Sequence, residues 1–465
     1  MKTQINLFIY GLFFYLLTLV LATALFTGKI ISPTWLLGQT AVISYFFIGV
    51  IVVFNLTVNL NPNRFVKSIV LVNVIVKFGA LLISYFYFKD QFGIGIINDS
   101  DYHGYYKTST YLAKNLNQLP QFINSTPMSD IGAYAYFVSI YYIFGDNIFI
   151  TGLVTLLFAT HSVVLMYKIV RQINTELIAK LTAIVMSLIP ILNYHIGLHL
   201  KDLFFIWIVL VGVYNLYKVF LNMKLSFWRL LIILTSIISL FFFRTVVALV
   251  FIMSIGSLML LSKSIKLHLV YKILTIVLLL ASLLMLFFLS SASEEVEKYY
   301  NTTENTQTLI VNEVNETRGE KSLASSFLGL PSQIFMSINS PYPTLIDNNL
   351  PVISKITRYS QIADGFIKAF LAFFFFLSFI DISFLRRNIF MSSFIIVYIV
   401  VLAIGGMSLL YRMFFPVLPI FIYFAVAQFS KINKVKYLYF ILYLVMMIAI
   451  YLYFNHIKMI DYNLY

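Results

Sequence analysis

The length, composition and charge of the chain together exclude a soluble protein. Of its 465 residues, 61% are hydrophobic and only 11% are charged, whereas soluble domains carry about a quarter charged residues, so a soluble enzyme, a nucleic-acid-binding module and a disordered scaffold are all excluded. The chain has no cysteine and a formal net charge of +14, which removes disulfides and thiolate chemistry and raises the question of which side of a membrane holds the cations.

Apolar runs long enough to cross a bilayer recur along the chain, since a transmembrane helix needs about 20 apolar residues. Thirteen segments are candidates, at 5–27, 34–57, 68–88, 148–169, 181–200, 203–221, 230–243, 245–262, 268–289, 361–384, 389–407, 413–429 and 437–455. We therefore expect an all-α polytopic integral membrane protein with about 13 transmembrane helices, forming a single membrane domain over residues 1–465. Lys77 and Asp364 are charges inside these spans and could pair with each other.

Two long polar stretches interrupt this pattern. Residues 89–147 form a predicted loop that ends in an aromatic, interfacial or re-entrant segment at Tyr134–Phe144, and residues 290–360 form a second, longer loop. With a cytoplasmic N-terminus, 17 of the 32 Lys and Arg residues and only two acids lie on the inner side. Because cytoplasmic loops carry the excess of cations, we predict that both long loops lie outside.

The first candidate site is an acidic cluster that follows the third predicted span. Asp99, Asp101 and His103 lie within five residues of one another in the segment 98–106. Such a group could supply a general base, or its oxygen atoms could hold a divalent cation. Asp, Ser, Asn and Gly are also ordinary turn residues, so a solvated turn is the alternative interpretation.

A second cluster lies where the fifth and sixth predicted spans meet. Lys201 and Asp202 are only a few residues from apolar runs on both sides, so both charges are expected near the membrane surface, as a structural ion pair or as a site for an anionic head group. His195 and His199 are four residues apart and would share a helix face. No third metal ligand accompanies them locally, and we assign no metal site.

Isolated arginines complete the set of candidate residues. Arg244 is the only charge in the apolar run 230–262, which would be roughly 50 Å long as one straight helix and fits the bilayer better as two spans that turn at Arg244. Arg412 precedes the last helices, and Arg358 precedes the tenth span. An arginine at a membrane boundary matches phosphate oxygens in a bidentate fork, whereas the alternative is a structural arginine that snorkels to the interface.

The layout of these groups resembles bacterial multi-span glycosyltransferases of the GT-C type and the O-antigen (Wzy-type) repeat-unit polymerases often grouped near them. The matching features are the segment Asp-Ser-Asp-Tyr-His in an early outer loop, Leu200-Lys201-Asp202 at a helix end, Phe243-Arg244 closing a span, a long late outer loop, and Arg412 before the last helices. The acidic segment follows the third span here, whereas in GT-C enzymes it follows the first.

The resemblance implies an enzyme of the bacterial inner membrane that transfers glycan from a polyprenyl phosphate or diphosphate carrier, such as undecaprenyl phosphate, at the outer face during surface-polysaccharide biosynthesis. The implied catalytic residues are Asp99, Asp101 and His103, and the implied phosphate-binding residues are Lys201, Asp202, Arg244, Arg358 and Arg412. The expected partners are the lipid-linked glycan, the bilayer and other polysaccharide-assembly proteins, without nucleic acid, and the sequence contains no cofactor motif. The alternative is a lipid-linked oligosaccharide flippase or another multi-span transporter, since intramembrane charges serve transport equally well.

Cysteine labelling tests the predicted orientation. The variant Ser293→Cys should react with a membrane-impermeant maleimide in intact cells, because the loop 290–360 is predicted outside and the chain contains no competing thiol. The control Asn433→Cys lies in a basic, predicted cytoplasmic segment and should react only after lysis. The reverse pattern of labelling would contradict the orientation.

Overall fold

The computed structural model describes residues 2–25, 33–97, 100–222, 226–261, 330–339, 342, 345, 352–404, 411–429 and 431–461. All regular structure within those ranges is helical, which confirms the all-α class. The first eleven helices are α1 (Lys2–Leu25), α2 (Pro33–Thr57), α3 (Pro62–Phe92), α4 (Ser100–Lys114), α5 (Leu119–Ser125), α6 (Met128–Phe144), α7 (Ile148–Ile173), α8 (Glu176–Leu188), α9 (Pro190–Tyr194), α10 (Asp202–Asn222) and α11 (Phe227–Leu261). The remaining six are α12 (Leu330–Asn339), α13 (Val352–Ile380), α14 (Ile382–Arg387), α15 (Ile389–Ile404), α16 (Leu418–Phe429) and α17 (Lys434–Asp461).

Eight of the described helices are long and apolar enough to cross a membrane, namely α1, α2, α3, α7, α10, α11, α13 and α17. The bent pair α8–α9 is a ninth candidate, and α15 and α16 are shorter apolar helices. The architecture is therefore that of a polytopic membrane protein, whereas 13 spans stay a prediction. One predicted span, 268–289, lies outside the described residues, and two others, 230–243 and 245–262, correspond to the two parts of α11 on either side of Arg244.

Helix α11 is broken at Arg244, whose backbone is extended rather than helical (φ −162°, ψ 97°). Ser236 and Phe251 lie on either side of this break, yet both reach the same point on α10. A Cβ atom on Gly212 would lie 3.3 Å from Ser236 Cβ and 2.9 Å from Phe251 Cζ, although the two residues would be about 22 Å apart along one straight helix. The chain therefore bends sharply at Arg244, as predicted, and both halves of α11 pack on α10.

A second interruption separates α8 from α9, whose axes differ by 52°. Carbonyl oxygens in the last turn of a helix lack N–H donors within that helix. The Ser187 carbonyl oxygen, at the end of α8, is reached by a lysine of α3. Lys77 Nζ donates to this oxygen at 3.3 Å and to Asn193 Oδ1 at 2.8 Å. Lys77 and Asp364, which could have paired with each other by sequence, have separate partners, because Asp364 pairs with Lys368, one turn further along α13, at 3.0 Å.

The segment 89–147, predicted as a loop, is largely helical and contains α4, α5 and α6. Helix α6, which includes the aromatic stretch Tyr134–Phe144, packs against α4, α7 and α11. Of the segment 290–360, the structure describes α12, two isolated residues and the start of α13, and the rest lies outside the described residues. The outer location of both segments stays a prediction.

Segments predicted to be cytoplasmic meet at one end of the bundle. Lys180, in the second turn of α8, donates to the Val58 carbonyl oxygen at 2.9 Å and so binds the C-terminal end of α2. At the same junction of α7 and α8, Asn174 donates to the Tyr423 hydroxyl at 3.3 Å, and that hydroxyl donates to Asn388 Oδ1 at 3.0 Å. The loops that precede α3, α8 and α15 therefore lie on one face of the molecule.

Substitution of Gly132 tests the packing of α6 against the bend of α11. A Cβ atom at this position would lie 2.5 Å from Phe243 Cδ2 and 2.7 Å from the Phe242 carbonyl oxygen. We expect Gly132→Ala to lower the free energy of unfolding by about 1–3 kcal/mol, the usual cost of overpacking. Gly79→Ala is the matched control, because a Cβ atom there meets no atom within 4 Å. Equal melting temperatures of the two variants in detergent would contradict this packing.

Candidate functional site

The N-terminal end of α10 carries a buried carboxylate between two arginines. Arg244 Nη2 donates to Asp202 Oδ1 at 3.0 Å, and Arg412 Nε lies 3.5 Å from Asp202 Oδ2. The Asp202 side chain is only 2% exposed, whereas those of Arg244 and Arg412 are 15% and 22% exposed. We refer to these three residues as the Asp202 cluster. Its carboxylate is enclosed by protein, while both arginine side chains keep some exposed surface.

Three separate elements bring the Asp202 cluster together. Asp202 is the first residue of α10, where the unpaired N–H groups of a helix favour negative charge. Arg244 lies at the bend of α11, and Arg412 lies in a 3₁₀ turn at Tyr411–Phe414. Met413 fixes that turn in two ways, because its carbonyl oxygen accepts from the Tyr398 hydroxyl at 2.7 Å and its sulfur lies 3.1 Å from Arg244 Nη1.

A second ion pair lies directly beside this cluster. Lys201 Nζ contacts Asp130 Oδ1 at 2.5 Å and donates to the Ser129 carbonyl oxygen at 3.0 Å. The Tyr105 hydroxyl donates to the same Asp130 oxygen at 2.9 Å. Burial lowers the pKa of Lys201 below its usual range, and Arg244 acts in the same direction. The carboxylates of Asp130 and Asp202 oppose this shift only in part. The contacts join α4, α6 and the residue before α10, and we call this arrangement the Lys201–Asp130 pair.

Both groups lie at the end of α10 that is remote from the basic loops. The 21 residues of α10 span about 31 Å, which is close to the thickness of the hydrocarbon core. Near the other end of this helix, the Lys218 carbonyl oxygen accepts from Arg229 Nη1 at 3.4 Å. When α10 crosses the bilayer, the Asp202 cluster and the Lys201–Asp130 pair are therefore at the membrane boundary opposite Arg229.

The two histidines of the second sequence cluster do not share a helix face, and that expectation was wrong. Helix α9 ends directly before a 3₁₀ turn at His195–Gly197. The buried ring of His195 meets Phe415 edge-on, with ring centroids 4.6 Å apart. His199 has a left-handed φ of 41° and stacks on Phe137 at 4.1 Å. Within the described ranges, no group of three His, Cys, Asp or Glu residues could hold a metal ion.

The structure unites four of the five residues for which phosphate binding was predicted: Lys201, Asp202, Arg244 and Arg412. His103, for which a catalytic role was predicted, lies on α4 with its ring 6.3 Å from that of Tyr106. It is two residues from Tyr105, which contacts the Lys201–Asp130 pair. Asp99 and the side chains of Asp101 and Arg358 lie outside the described residues.

Asp130 and Tyr105 are the site residues that sequence reasoning missed. An acid in the first turn of a helix is a helix-start signal, and Asp130 carries that signal for α6. This signal could have placed the start of the aromatic helix several residues before Tyr134. It does not identify the residue with which Asp130 pairs. Asp130 and Lys201 are 71 positions apart, so only the folded chain brings them together.

The arrangement is suited to binding an oxyanion at a membrane boundary. Among the described residues, three cations, Lys201, Arg244 and Arg412, meet two carboxylates, Asp130 and Asp202. A guanidinium presents paired donors that match two phosphate oxygens, whereas a lysine acts as a point charge. Both interactions are stronger here than in water because the local dielectric constant is lower.

Comparisons with other proteins add no assignment to this geometry. No protein-family model matches the chain, and no curated protein or solved structure is significantly similar to it. The resemblance to bacterial glycosyltransferases and polymerases therefore depends on the residues and their layout alone.

The variant Asp202→Asn tests how far the cluster depends on its buried charge. Removing one partner of a buried ion pair leaves uncompensated charge, so we expect a loss of about 3 kcal/mol in the free energy of unfolding. The control Asp381→Asn breaks a more exposed pair with Lys431 and keeps the cap of α14, so its cost should stay below about 1 kcal/mol. Similar melting temperatures of the two variants would show that the Asp202 cluster is not a buried electrostatic unit.

Proposed function

We propose that the protein is a membrane glycosyltransferase or polymerase that acts on sugars linked to a polyprenyl phosphate or diphosphate. The proposed setting is the outer face of the bacterial inner membrane, in surface-polysaccharide biosynthesis. The observation that carries this proposal is the convergence of Lys201, Arg244 and Arg412 at one end of α10. A lipid-linked substrate brings its phosphate to this depth while its sugar stays in water.

The proposed reaction needs a stabilised leaving group and a base. The acceptor hydroxyl oxygen forms a bond to the anomeric carbon, the bond from that carbon to the carrier phosphate oxygen breaks, and the hydroxyl proton passes to a base. Negative charge then develops on the departing phosphate, where Arg244 and Arg412 are placed to stabilise it. The proposed base belongs to the segment of Asp99, Asp101 and His103, which adjoins Tyr105 on α4.

A transporter of lipid-linked oligosaccharides is the second candidate, and specific features favour it. The buried Lys77 of α3 contacts the break between α8 and α9, where it donates to Asn193 and to the Ser187 carbonyl oxygen. Interrupted helices with polar groups between them are typical of transporter binding sites near the bilayer midplane. The Asp202 cluster lies at the end of α10 instead, where an acceptor could approach from water, and this location favours the enzyme.

Glycosyl transfer in detergent decides between the two candidates. The purified protein, supplied with lipid-linked donor and acceptor and without a sealed compartment, should make longer lipid-linked glycan. Arg244→Lys and Arg412→Lys should each reduce the rate about 10- to 100-fold, because a lysine lacks the paired donors that a charge-assisted fork requires. Arg229→Lys is the control, since Arg229 lies in the first turn of α11 and contacts the other end of α10, and it should retain the wild-type rate.

Two outcomes would count against the enzyme. Full transfer by both arginine variants would remove Arg244 and Arg412 from the site. Movement of the substrate across sealed vesicles, together with no product under any condition in detergent, would favour the transporter.

A further inference from the structure

The two carboxylates at the site differ in how firmly they are held. Asp202 is 2% exposed and contacts two arginines, whereas Asp130 is 37% exposed and contacts one lysine. A buried carboxylate that left its arginines would leave uncompensated charge in an apolar bundle. The Asp130 carboxylate lies at the surface and can turn into water, where it regains its hydration. Of these two carboxylates, only Asp130 can move into water, and its departure leaves the buried Lys201 charge to another anion.

Asp130 also occupies the donors that a phosphate would use. Its Oδ1 atom takes both the Lys201 ammonium at 2.5 Å and the Tyr105 hydroxyl at 2.9 Å. The Lys201 side chain is only 8% exposed while this contact is made. A phosphate oxygen suits the same two donors, and it reaches Lys201 only when the Asp130 carboxylate has moved.

The surroundings of Tyr105 favour movement of the carboxylate alone. The Tyr105 ring packs against Tyr134 and Phe137, with centroids 5.2 Å and 5.8 Å apart, which fixes its hydroxyl in place. Asp130 lies in the first turn of α6, at the edge of the packed part of that helix. Rotation of the Asp130 side chain alone would therefore free the Lys201 ammonium for another anion.

We propose that Asp130 is a displaceable counter-ion, which neutralises Lys201 in the empty site and is replaced by a phosphate or diphosphate group when the ligand arrives. This inference rests on the anion site of the proposed function but not on glycosyl transfer itself. Asp130 thus competes with the ligand for Lys201, and it lowers the affinity of the site for anions.

Calorimetric titration of the full-length protein in detergent tests this competition, with inorganic pyrophosphate and farnesyl diphosphate as separate probes. Asp130→Asn should bind both probes about threefold to tenfold more tightly than the wild type, since the competing charge is gone. A gain with both probes identifies the phosphate group itself as the ligand. A gain with farnesyl diphosphate alone identifies a lipid head group as the ligand.

Asp146→Asn is the matched control, because Asp146 is also 37% exposed, pairs with Lys114 at 3.6 Å and lies just beyond the other end of α6. It removes the same charge and should leave both affinities unchanged. In the background of Lys201→Met, Asp130→Asn should give no gain, because the competition requires Lys201. Asp130→Ser replaces Asp130→Asn if melting curves show that the asparagine variant is unfolded.

Three results would overturn the inference. Binding by Asp130→Asn that equals or falls below that of the wild type would make Asp130 part of the ligand site or irrelevant to it. An equal gain in Asp146→Asn would reveal a general charge effect. An absence of binding in every variant would remove the anion site as well, whereas tighter binding without any glycosyl transfer would leave this inference standing and reject only the proposed reaction.

Discussion

A single buried carboxylate, that of Asp202, determines how the polar end of this apolar bundle is organised. Two arginines from distant parts of the chain meet it, Arg244 and Arg412. Each of these charges would destabilise the bundle if it were buried alone, since burying an unpaired ion costs several kcal/mol. The cluster therefore joins the start of α10, the bend of α11 and the turn before α16 at one point, where covalent connectivity alone would not bring them.

Breaks in helices are what make this meeting possible. The chain bends at the extended backbone of Arg244, which places the Arg244 guanidinium beside Asp202. The 3₁₀ turn at Tyr411–Phe414 places the Arg412 side chain beside the same carboxylate. Non-helical backbone at membrane depth persists only where protein satisfies its polar groups. The Tyr398 hydroxyl donates a hydrogen bond to the Met413 carbonyl oxygen in the 3₁₀ turn. Lys77 donates one to the Ser187 carbonyl oxygen at the break between α8 and α9.

Local sequence revealed the individual charges of the site but not their partners. Arg244 was recognisable because it is alone in an apolar run too long for one crossing, and the same reasoning predicted the bend there. Pairings over long separations were not accessible, which is why the partners of Lys77 were not identified and Asp130 was missed. The apolar pattern also predicted one span over 413–429, which includes part of the turn that precedes α16. A buried turn contains apolar residues as readily as a helix does, so hydropathy does not distinguish them.

The balance of charge at the site explains how it can be stable when empty and still attract an anion. Full neutralisation of three cations would require three carboxylates and would cancel the attraction, whereas no carboxylate at all would leave mutual repulsion in a medium of low dielectric constant. The described part of the site holds two carboxylates of unequal exposure, which lies between these limits. Asp202 keeps Arg244 and Arg412 together whether or not a ligand is present, while Asp130 shields Lys201 from a position that water can reach. A phosphate that replaces Asp130 therefore finds its arginines already in place and has only one side chain to move.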